Sequence, residues 1–253
     1  MRQLVKIGHR GIWKMKNIVS LWLNRIPEKT TFRYSSIKYL LFDGTYFKHE
    51  NCLMAIMDHT HGTIVHHSYC VRENYEHAHA IFSELKTFGV LPKAITIDGN
   101  TSVIRAIRNV WPQVIVQRCL AHIQRQGLSW LRRNPKLQAG RDLRTILLSV
   151  TDIKDTKDAE VFKNAFLHWE KKHGELVCCL PSDKVVSDLR ATRSLLMNAL
   201  PDMFHYLDDR HIPATTNRIE GYFSRLKIIY RQHRGLSKLH RKNFFGWYIY
   251  FKN

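Results

Sequence analysis

The order of apolar segments between residues 35 and 133 constrains the fold of this chain more than any other feature of its sequence. Three runs rich in β-branched and aromatic residues, at 35–47, 52–57 and 63–71, follow one another over short polar turns. Consecutive strands joined by short turns pair in antiparallel fashion. The first part of the chain is therefore predicted to form a three-stranded meander.

After the meander the hydrophobic period changes. Residues 74–88 place apolar side chains at helical spacing, and the following segments predict a strand at 93–97, a helix at 101–110 and a strand at 113–116. A strand–helix–strand step requires a parallel crossover. The sequence therefore predicts an α/β fold, with a mixed five-stranded sheet and helices on its faces.

Strand patterns are absent from about residue 134 to residue 212. Apolar residues recur there at helical spacing, as at Leu143, Ile146, Leu147 and Val150. We interpret 134–212 as an all-α insertion that precedes a further helix containing Glu220.

The charge of the chain indicates which kind of partner it binds. Lys and Arg number 40 against 21 Asp and Glu, which gives a formal net charge of +19 over 253 residues. A positive field of this kind favours polyanions, and nucleic acid is the commonest of them. The plain alternative is a soluble basic protein without such a partner.

Composition also limits the compartment. Five cysteines at irregular spacings indicate no disulfide framework and fit a reducing interior. The sequence has neither a signal peptide nor an apolar run near the roughly 20 residues of a membrane span. We therefore expect a cytoplasmic protein with no membrane partner.

Two Asp-Gly dipeptides each follow an apolar strand segment: Asp43-Gly44 and Asp98-Gly99. Open α/β sheets build their sites where strands end, and glycine lets a ligand or backbone approach closely. Neighbouring aspartates at such an edge can share a hard cation such as Mg²⁺. Taken singly, each dipeptide is equally well explained as a turn, in which Asp-Gly is common.

Glu220 lies near the start of a basic amphipathic helix. A third carboxylate that crosses the same edge would complete a two-metal site acting on phosphodiesters. The segment 217–220 also fits the spacing of a capping box, with Asn217 in place of the usual Ser or Thr. The helix has an apolar stripe that is expected to be buried: Ile219, Tyr222, Phe223, Leu226, Ile229 and Tyr230.

Five motifs occur in a fixed order: Asp43-Gly44-Thr45, Asp98-Gly99-Asn100, the segment 118–122, the segment 215–221 and the tail 231–248. This ordered set resembles the DDE transposases of the Mutator-like superfamily and related bacterial insertion-sequence transposases. The resemblance implies an RNase H-like core interrupted by an all-α insertion. It also implies that Asp43, Asp98 and Glu220 are the catalytic triad and hold two Mg²⁺ or Mn²⁺ ions.

The resemblance further implies a substrate and a reaction. Water first attacks a phosphodiester at the end of the element in double-stranded DNA, and the freed 3′-hydroxyl then attacks target DNA. Such enzymes act as homo-oligomers, commonly dimers across paired ends. Because their substrate is DNA, a nucleoid-associated protein is expected.

Cys119 and His122 match the C-x-x-H signature of the family. Zinc usually takes four ligands, and no second pair of ligands stands at a suitable spacing. We therefore expect a packing or site-shaping role for both residues. The alternative is that His122 approaches the DNA near the scissile phosphate.

Seven cations of the C-terminal part are expected to contact DNA: Arg225, Lys227, Arg231, Arg234, Lys238, Arg241 and Lys242. Aromatic residues follow at high density: Phe244, Phe245, Trp247, Tyr248 and Phe251. These are expected to pack as a C-terminal helix, although stacking on bases is an alternative.

Four segments summarise the predicted organisation: a basic N-terminal segment at 1–34, interpreted as a remnant of a DNA-binding region; the first part of the core at 35–133; the insertion at 134–212; and the completion of the core at 213–253. The segment 1–34 is too short for an independent domain. A decayed or truncated DNA-binding relic without catalysis therefore stays open as one alternative to a transposase. An RNase H-like nuclease is another, because fold alone does not exclude it.

Overall fold

The structure is a computed structural model that describes residues 11–28, 31–47, 51–233 and 235–253. Within these residues, one sheet is formed by five strands: β1 (Tyr39–Tyr46), β2 (Cys52–Asp58), β3 (Thr63–Cys70), β4 (Ala94–Ile97) and β5 (Ile115–Arg118). The order across the sheet is β3-β2-β1-β4-β5. The β1–β2 and β2–β3 pairs are antiparallel, and the β1–β4 and β4–β5 pairs are parallel. The predicted mixed five-stranded sheet is confirmed.

The helices of the described residues are α1 (Ile12–Leu23), α2 (Tyr75–Thr87), α3 (Thr101–Val110), α4 (Leu120–Leu131), α5 (Gln138–Leu148), α6 (Thr156–Cys179), α7 (Lys184–Ala199), α8 (His205–Asp208), α9 (Asn217–Tyr230) and α10 (Lys238–Lys252). Side chains that accept hydrogen bonds from the first turn fix several helix starts: Asn74, Asn100, Asp155, Asp183 and Ser237. A search of the described part of the chain for a helix long and apolar enough to cross a membrane finds none.

Helices cover both faces of the sheet. Successive side chains of β1 alternate between the faces, so Leu40 and Phe42 enter one buried cluster with residues of α2 and α3. Leu41 enters another buried cluster on the opposite face, together with Phe223 of α9 and Phe245 of α10. The sheet is therefore the middle layer of three.

A separate buried cluster holds α4, α5, α6 and α7 together, and these helices with the turns between them are called the helical region. Trp169 is the largest fully buried side chain of this cluster. Leu120 and Ile123 of α4 also belong to it, so α4 joins the helical region to the strand that precedes it, β5.

Some element boundaries differ from the predictions. β1 begins at Tyr39 rather than at residue 35, because its pairing with β4 begins at Tyr39 and residues 34–36 form a 3₁₀ turn. β5 spans Ile115–Arg118 rather than 113–116, since it follows the register of β4. The turn expected at 48–51 lies largely outside the described residues.

The basic N-terminal segment contains a helix, α1, that the sequence pattern did not predict. None of the side chains of α1 is buried. The helix lies against α10, where the rings of Trp22 and Trp247 are 4.7 Å apart. A contact between residues so distant in the chain is not visible in the local sequence pattern.

The turn between β2 and β3 provides a stability prediction. Gly62 has φ +77°, and a Cβ there would lie within 3.0 Å of the guanidinium of Arg218, which donates to the carbonyl oxygen of His59. Gly89 has φ +86° and open space around it. We expect Gly89→Ala to cost about 1 kcal/mol from backbone strain and Gly62→Ala about 2 kcal/mol, since it also displaces Arg218.

Thermal unfolding of the two variants measures the difference between these two stability costs. In an Arg218→Ala background the two glycine substitutions should become equally costly, because the displaced side chain is gone. Equal costs in the unmodified background would show that the contact between Arg218 and Gly62 does not contribute.

Candidate active site

The parallel register of β1 and β4 sets Asp43 beside Asp98. Leu41 pairs with Thr96, and each aspartate lies two residues beyond its member of that pair. Side chains two residues apart on a strand share a face. Asp43 therefore lies on the face of Leu41, which is covered by α9. The charge of Asp98 contributes to raising the pKa of Asp43, as expected of neighbouring carboxylates.

Asp43 was expected to end its strand, and this was wrong. β1 continues to Tyr46 because residues 43–46 remain paired with β2. Pairing with β4, in contrast, ends at Leu41. Asp43 thus lies on a stretch of β1 that is paired with β2 on one side and has no strand partner on the β4 side.

Glu220 reaches the site from the first turn of α9. The expected buried stripe is confirmed, since Ile219, Tyr222, Phe223 and Leu226 are buried, while Ile229 and Tyr230 are partly buried on the same cluster. Thr216 Oγ1 donates to Glu220 Oε1 at 3.1 Å, and Arg125 Nη2 donates to Oε2 at 3.1 Å. Both oxygens of Glu220 are therefore held by neighbouring side chains.

The capping-box interpretation of 217–220 was wrong. α9 begins at Asn217, so the N-cap residue is Thr216, whose side chain makes no hydrogen bond to the helix backbone. The Thr216 hydroxyl is instead used by Glu220.

Cys119 and His122 lie directly behind Glu220. The buried Cys119 sulfur accepts from the backbone N–H of Thr216 at 3.3 Å and lies 3.2 Å from the Thr216 hydroxyl, whose single hydrogen can serve either this sulfur or Glu220 at one time. His122 Nδ1 is 3.3 Å from Cys119 Sγ and 3.6 Å from Glu220 Oε1. The hydrogen bond with Cys119 raises the pKa of His122 to about 9, and the charges of Glu220 and Asp43 act in the same direction.

Cys119, His122 and Glu220 form a compact group of possible metal ligands. One donor atom from each lies within 4.8 Å of the others. Sulfur and imidazole suit soft metals such as zinc, whereas Asp43 and Asp98 offer only carboxylate oxygen, which suits Mg²⁺ and Mn²⁺. Burial opposes ionisation of Cys119, but hydrogen bonds from His122 and Thr216 outweigh it and lower the pKa of the thiol.

Gly44 and Gly99 make room for two side chains rather than for an approaching backbone. A Cβ on Gly44 would lie within 3.0 Å of a carboxylate oxygen of Glu73, and a Cβ on Gly99 within 3.0 Å of the guanidinium of Arg118. Arg118 is buried, and the charge of Asp98 partly offsets the lowering of its pKa by burial. Glu73 and Arg118 therefore lie beside the candidate site, although neither of them is assigned a role from the sequence.

The cations expected to contact DNA differ in how far their side chains are exposed to solvent. Arg225, Arg231, Lys238 and Lys242 are exposed, and Lys227 is half-buried with its ammonium 5.8 Å from the ring centre of Phe47. Arg234 lies outside the described residues.

The expectation that Arg241 contacts DNA was wrong. Only 6% of it is exposed, and it donates to the hydroxyl of Tyr69 and the carbonyl oxygen of Leu236. Its side chain therefore lies inside the protein and not on a surface that DNA can reach.

The packing interpretation of the aromatic tail is confirmed for Phe245 and Tyr248, which are buried, and was wrong for Phe251, which is 72% exposed.

Comparisons with known proteins give a family. A model of the Mutator family of transposases matches residues 14–234. No curated protein matches the chain. Among solved structures, similarity is found to a chain in the cryo-EM structure of the simian T-cell lymphotropic virus intasome in complex with PP2A regulatory subunit B56 gamma. The identity is 14%, the TM-score is 0.26, and the match covers 65% of this chain and 50% of that chain.

The two positive comparisons differ in weight. At its TM-score, the likeness to the intasome chain carries no argument, and the match spans only half of that chain. The family model covers most of the sequence and includes the segments that contain Asp43, Asp98, Cys119, His122 and Glu220. On that match, the chain belongs to the Mutator family of transposases.

Proposed function

We propose that this protein is a DNA transposase that cuts DNA strands and joins the freed ends to target DNA, with Asp43, Asp98 and Glu220 as its catalytic carboxylates. One observation carries the proposal. Asp43 lies on β1, on the sheet face covered by the helix that contains Glu220, and Asp98 directly follows β4, the strand that pairs in parallel with β1.

The topology of the sheet supports an RNase H-like core. Three antiparallel strands are followed by two strands that join them in parallel through helices. In this proposal 35–133 and 213–253 form the core, 134–212 is a helical insertion, and 1–34 is an N-terminal segment. Such an enzyme would act on the nucleoid in the cytoplasm, as a dimer across paired DNA ends.

The aspartates fit a hard divalent cation. Oδ1 of Asp43 accepts from the backbone N–H of Gly44 at 2.9 Å, and Oδ1 of Asp98 accepts from that of Asn100 at 3.0 Å. The second oxygen of each receives no hydrogen bond from a described residue. Burial, together with the charges of Asp98 and Glu220, raises the pKa of Asp43 to about 7, although the charge of His122 opposes this rise. A nearby positive charge would offset that unfavourable crowding of carboxylates.

Asp43, Asp98 and Glu220 would hold two Mg²⁺ or Mn²⁺ ions, which would supply activation of the attacking hydroxyl and stabilisation of the leaving oxygen of a phosphodiester. The residues of the chain set the geometry. Thr216 and Arg125 each hold one oxygen of Glu220, and His122 supports the same carboxylate from behind. Site shaping by Cys119 and His122 is thus part of the proposal.

Exposed cations of α9 and α10 and of the turn between them are proposed to bind the DNA backbone. Each phosphate contact that is lost should reduce the slope of log K against log salt concentration by about 1. We expect this for Arg231→Gln and for Lys238→Gln, measured by fluorescence anisotropy with duplex DNA at several salt concentrations. The buried Arg241 provides a matched control, because Arg241→Gln should leave the slope unchanged. A smaller slope in that variant alone would contradict this assignment.

The proposed function is tested with the purified chain and DNA copied from the sequence that flanks its own gene. We expect cleavage and joining that require Mg²⁺ or Mn²⁺ and that are lost in Asp98→Ala. Binding without chemistry would favour a non-enzymatic relic. Cleavage without joining, or a preference for RNA, would favour an RNase H-like nuclease.

A further inference from the structure

A fourth carboxylate, Glu73, reaches the same edge of the sheet. It lies between the end of β3 and the start of α2. Its Oε1 accepts from Asn100 Nδ2 at 2.8 Å, and its other oxygen lies against Gly44, where a side chain of any other residue would displace it. Glu73 thus touches the residue that follows Asp43 and the second residue after Asp98.

The approach of Glu73 is from the face opposite to α9. Gly44 also lies close to Cys52, which belongs to the buried cluster under α2 and α3. Glu220 and Glu73 therefore reach the paired aspartates from opposite sides of the sheet, through the gap that opens where β4 ends at Ile97.

The charges of these groups act on one another. Burial and the charge of Asp98 together raise the pKa of Glu73 to about 7, while the hydrogen bond from Asn100 and the charge of His122 oppose this rise. The charge of Glu73 in turn contributes to raising the pKa of Asp43. Within the described residues no lysine, arginine or histidine forms an ion pair with Glu73, whereas Glu220 has Arg125. A partly buried carboxylate without a direct ion-pair partner is costly.

A purely local role does not explain this placement. The N-cap of α2 is Asn74, whose side chain accepts from the backbone N–H of His77, so Glu73 is not needed to start the helix. The side-chain oxygen of Asn100 caps α3, and its amide nitrogen is left to orient Glu73. The Glu73 oxygen beside Gly44 receives no hydrogen bond from a described residue.

We propose that Glu73 is a fourth carboxylate of the divalent-cation site and a direct ligand of the ion held between Asp43 and Asp98. The inference rests on the proposed function, because it needs a cation at these aspartates. Hard divalent cations take oxygen ligands, and a carboxylate held by Asn100 at this edge is such a ligand.

The test is Mn²⁺ binding by the full chain, measured by isothermal titration calorimetry and by the electron paramagnetic resonance signal of free Mn²⁺. Glu73→Gln keeps the size of the side chain and the acceptor for Asn100 but removes the charge. We expect Mn²⁺ affinity to fall at least about tenfold, with thermal stability in the absence of metal unchanged or higher. The matched control is Glu76→Gln, an exposed carboxylate in the first turn of α2, which should bind as the unmodified protein does.

A second variant leaves every carboxylate in place. Gly44→Ala introduces a methyl group into the space taken by the Glu73 carboxylate, and it should weaken Mn²⁺ binding in the same direction. Combined with Glu73→Gln it should add little, because both changes remove the same ligand.

The outcomes separate this inference from the proposed function. Weak binding in Asp98→Asn together with unchanged binding in Glu73→Gln would overturn the role of Glu73 and leave the triad intact. No Mn²⁺ binding by the unmodified chain would overturn both. Lower stability of Glu73→Gln with unchanged Mn²⁺ affinity would assign Glu73 a structural role only.

Discussion

Asp43→Asn, Asp98→Asn and Glu220→Gln are each expected to reduce DNA cleavage and joining at least about 10³-fold, which corresponds to roughly 4 kcal/mol of transition-state stabilisation. Each substitution keeps the shape of the side chain and removes a charge that the proposed cations need. Salt-sensitive DNA binding should persist, because that binding comes from backbone contacts of exposed cations elsewhere on the surface.

The measurement is single-turnover cleavage with Mg²⁺, paired with a binding titration of the same preparations. Asp152→Asn serves as the control, since Asp152 is exposed in the helical region and is expected to have full activity. Full activity in any one of the three site variants would overturn the triad assignment. Loss of binding in all three would indicate misfolding or a different role for these carboxylates.

Trp169→Ala is expected to lower the free energy of unfolding by about 3–5 kcal/mol. Trp169 is only 2% exposed, its ring stacks on that of Phe166, and its indole N–H donates to the carbonyl oxygen of Ala139 at 2.8 Å. The substitution leaves a cavity between α5 and α6 and also a buried carbonyl without its donor. Few single substitutions in this chain remove as much buried surface.

The effect should extend to the candidate site. Leu120 and Ile123, which flank His122 on α4, belong to the same buried cluster as Trp169. We therefore expect Trp169→Ala to lose activity at a lower temperature than the unmodified protein, in step with its thermal unfolding. Trp13→Ala is the control, because Trp13 is 73% exposed and should change stability by no more than about 0.5 kcal/mol. Similar unfolding temperatures for both tryptophan variants would contradict this description of the helical core.

The strands could be predicted because their signals are local, and the same signals led to the proposal of the site carboxylates. An apolar run predicts a strand wherever it lies, and a change from period 2 to period 3.6 marks the passage to a helix. Asp43 and Asp98 stood out because each follows such a run, and Glu220 because it lies near the start of a basic amphipathic helix. The family resemblance then implied that the three form a catalytic triad. The register that sets the two aspartates side by side is consistent with these signals, although the sequence did not specify it.

The residues that the sequence did not identify act over long separations in the chain. Glu73 contacts Gly44, which lies within β1, and Asn100, which follows β4. Arg118 was quoted within a motif, but its position against Gly99 depends on the pairing of β4 with β5.

Two errors have the same cause. Arg241 was predicted to contact DNA from its charge, but Tyr69, far away in the sequence, holds it inside the protein. The capping-box interpretation followed the spacing of 217–220, whereas the start of α9 is set by the contacts of Thr216 with Cys119 and Glu220. In both cases a tertiary contact overrode a local pattern.

The most direct test of the central claim is anomalous diffraction at the manganese edge from crystals grown with Mn²⁺. The proposed function predicts peaks bounded by the carboxylates of Asp43, Asp98 and Glu220, and their loss in crystals of Asp98→Asn. Manganese found only at other positions, such as beside Cys119 and His122 with none between the two aspartates, would contradict it.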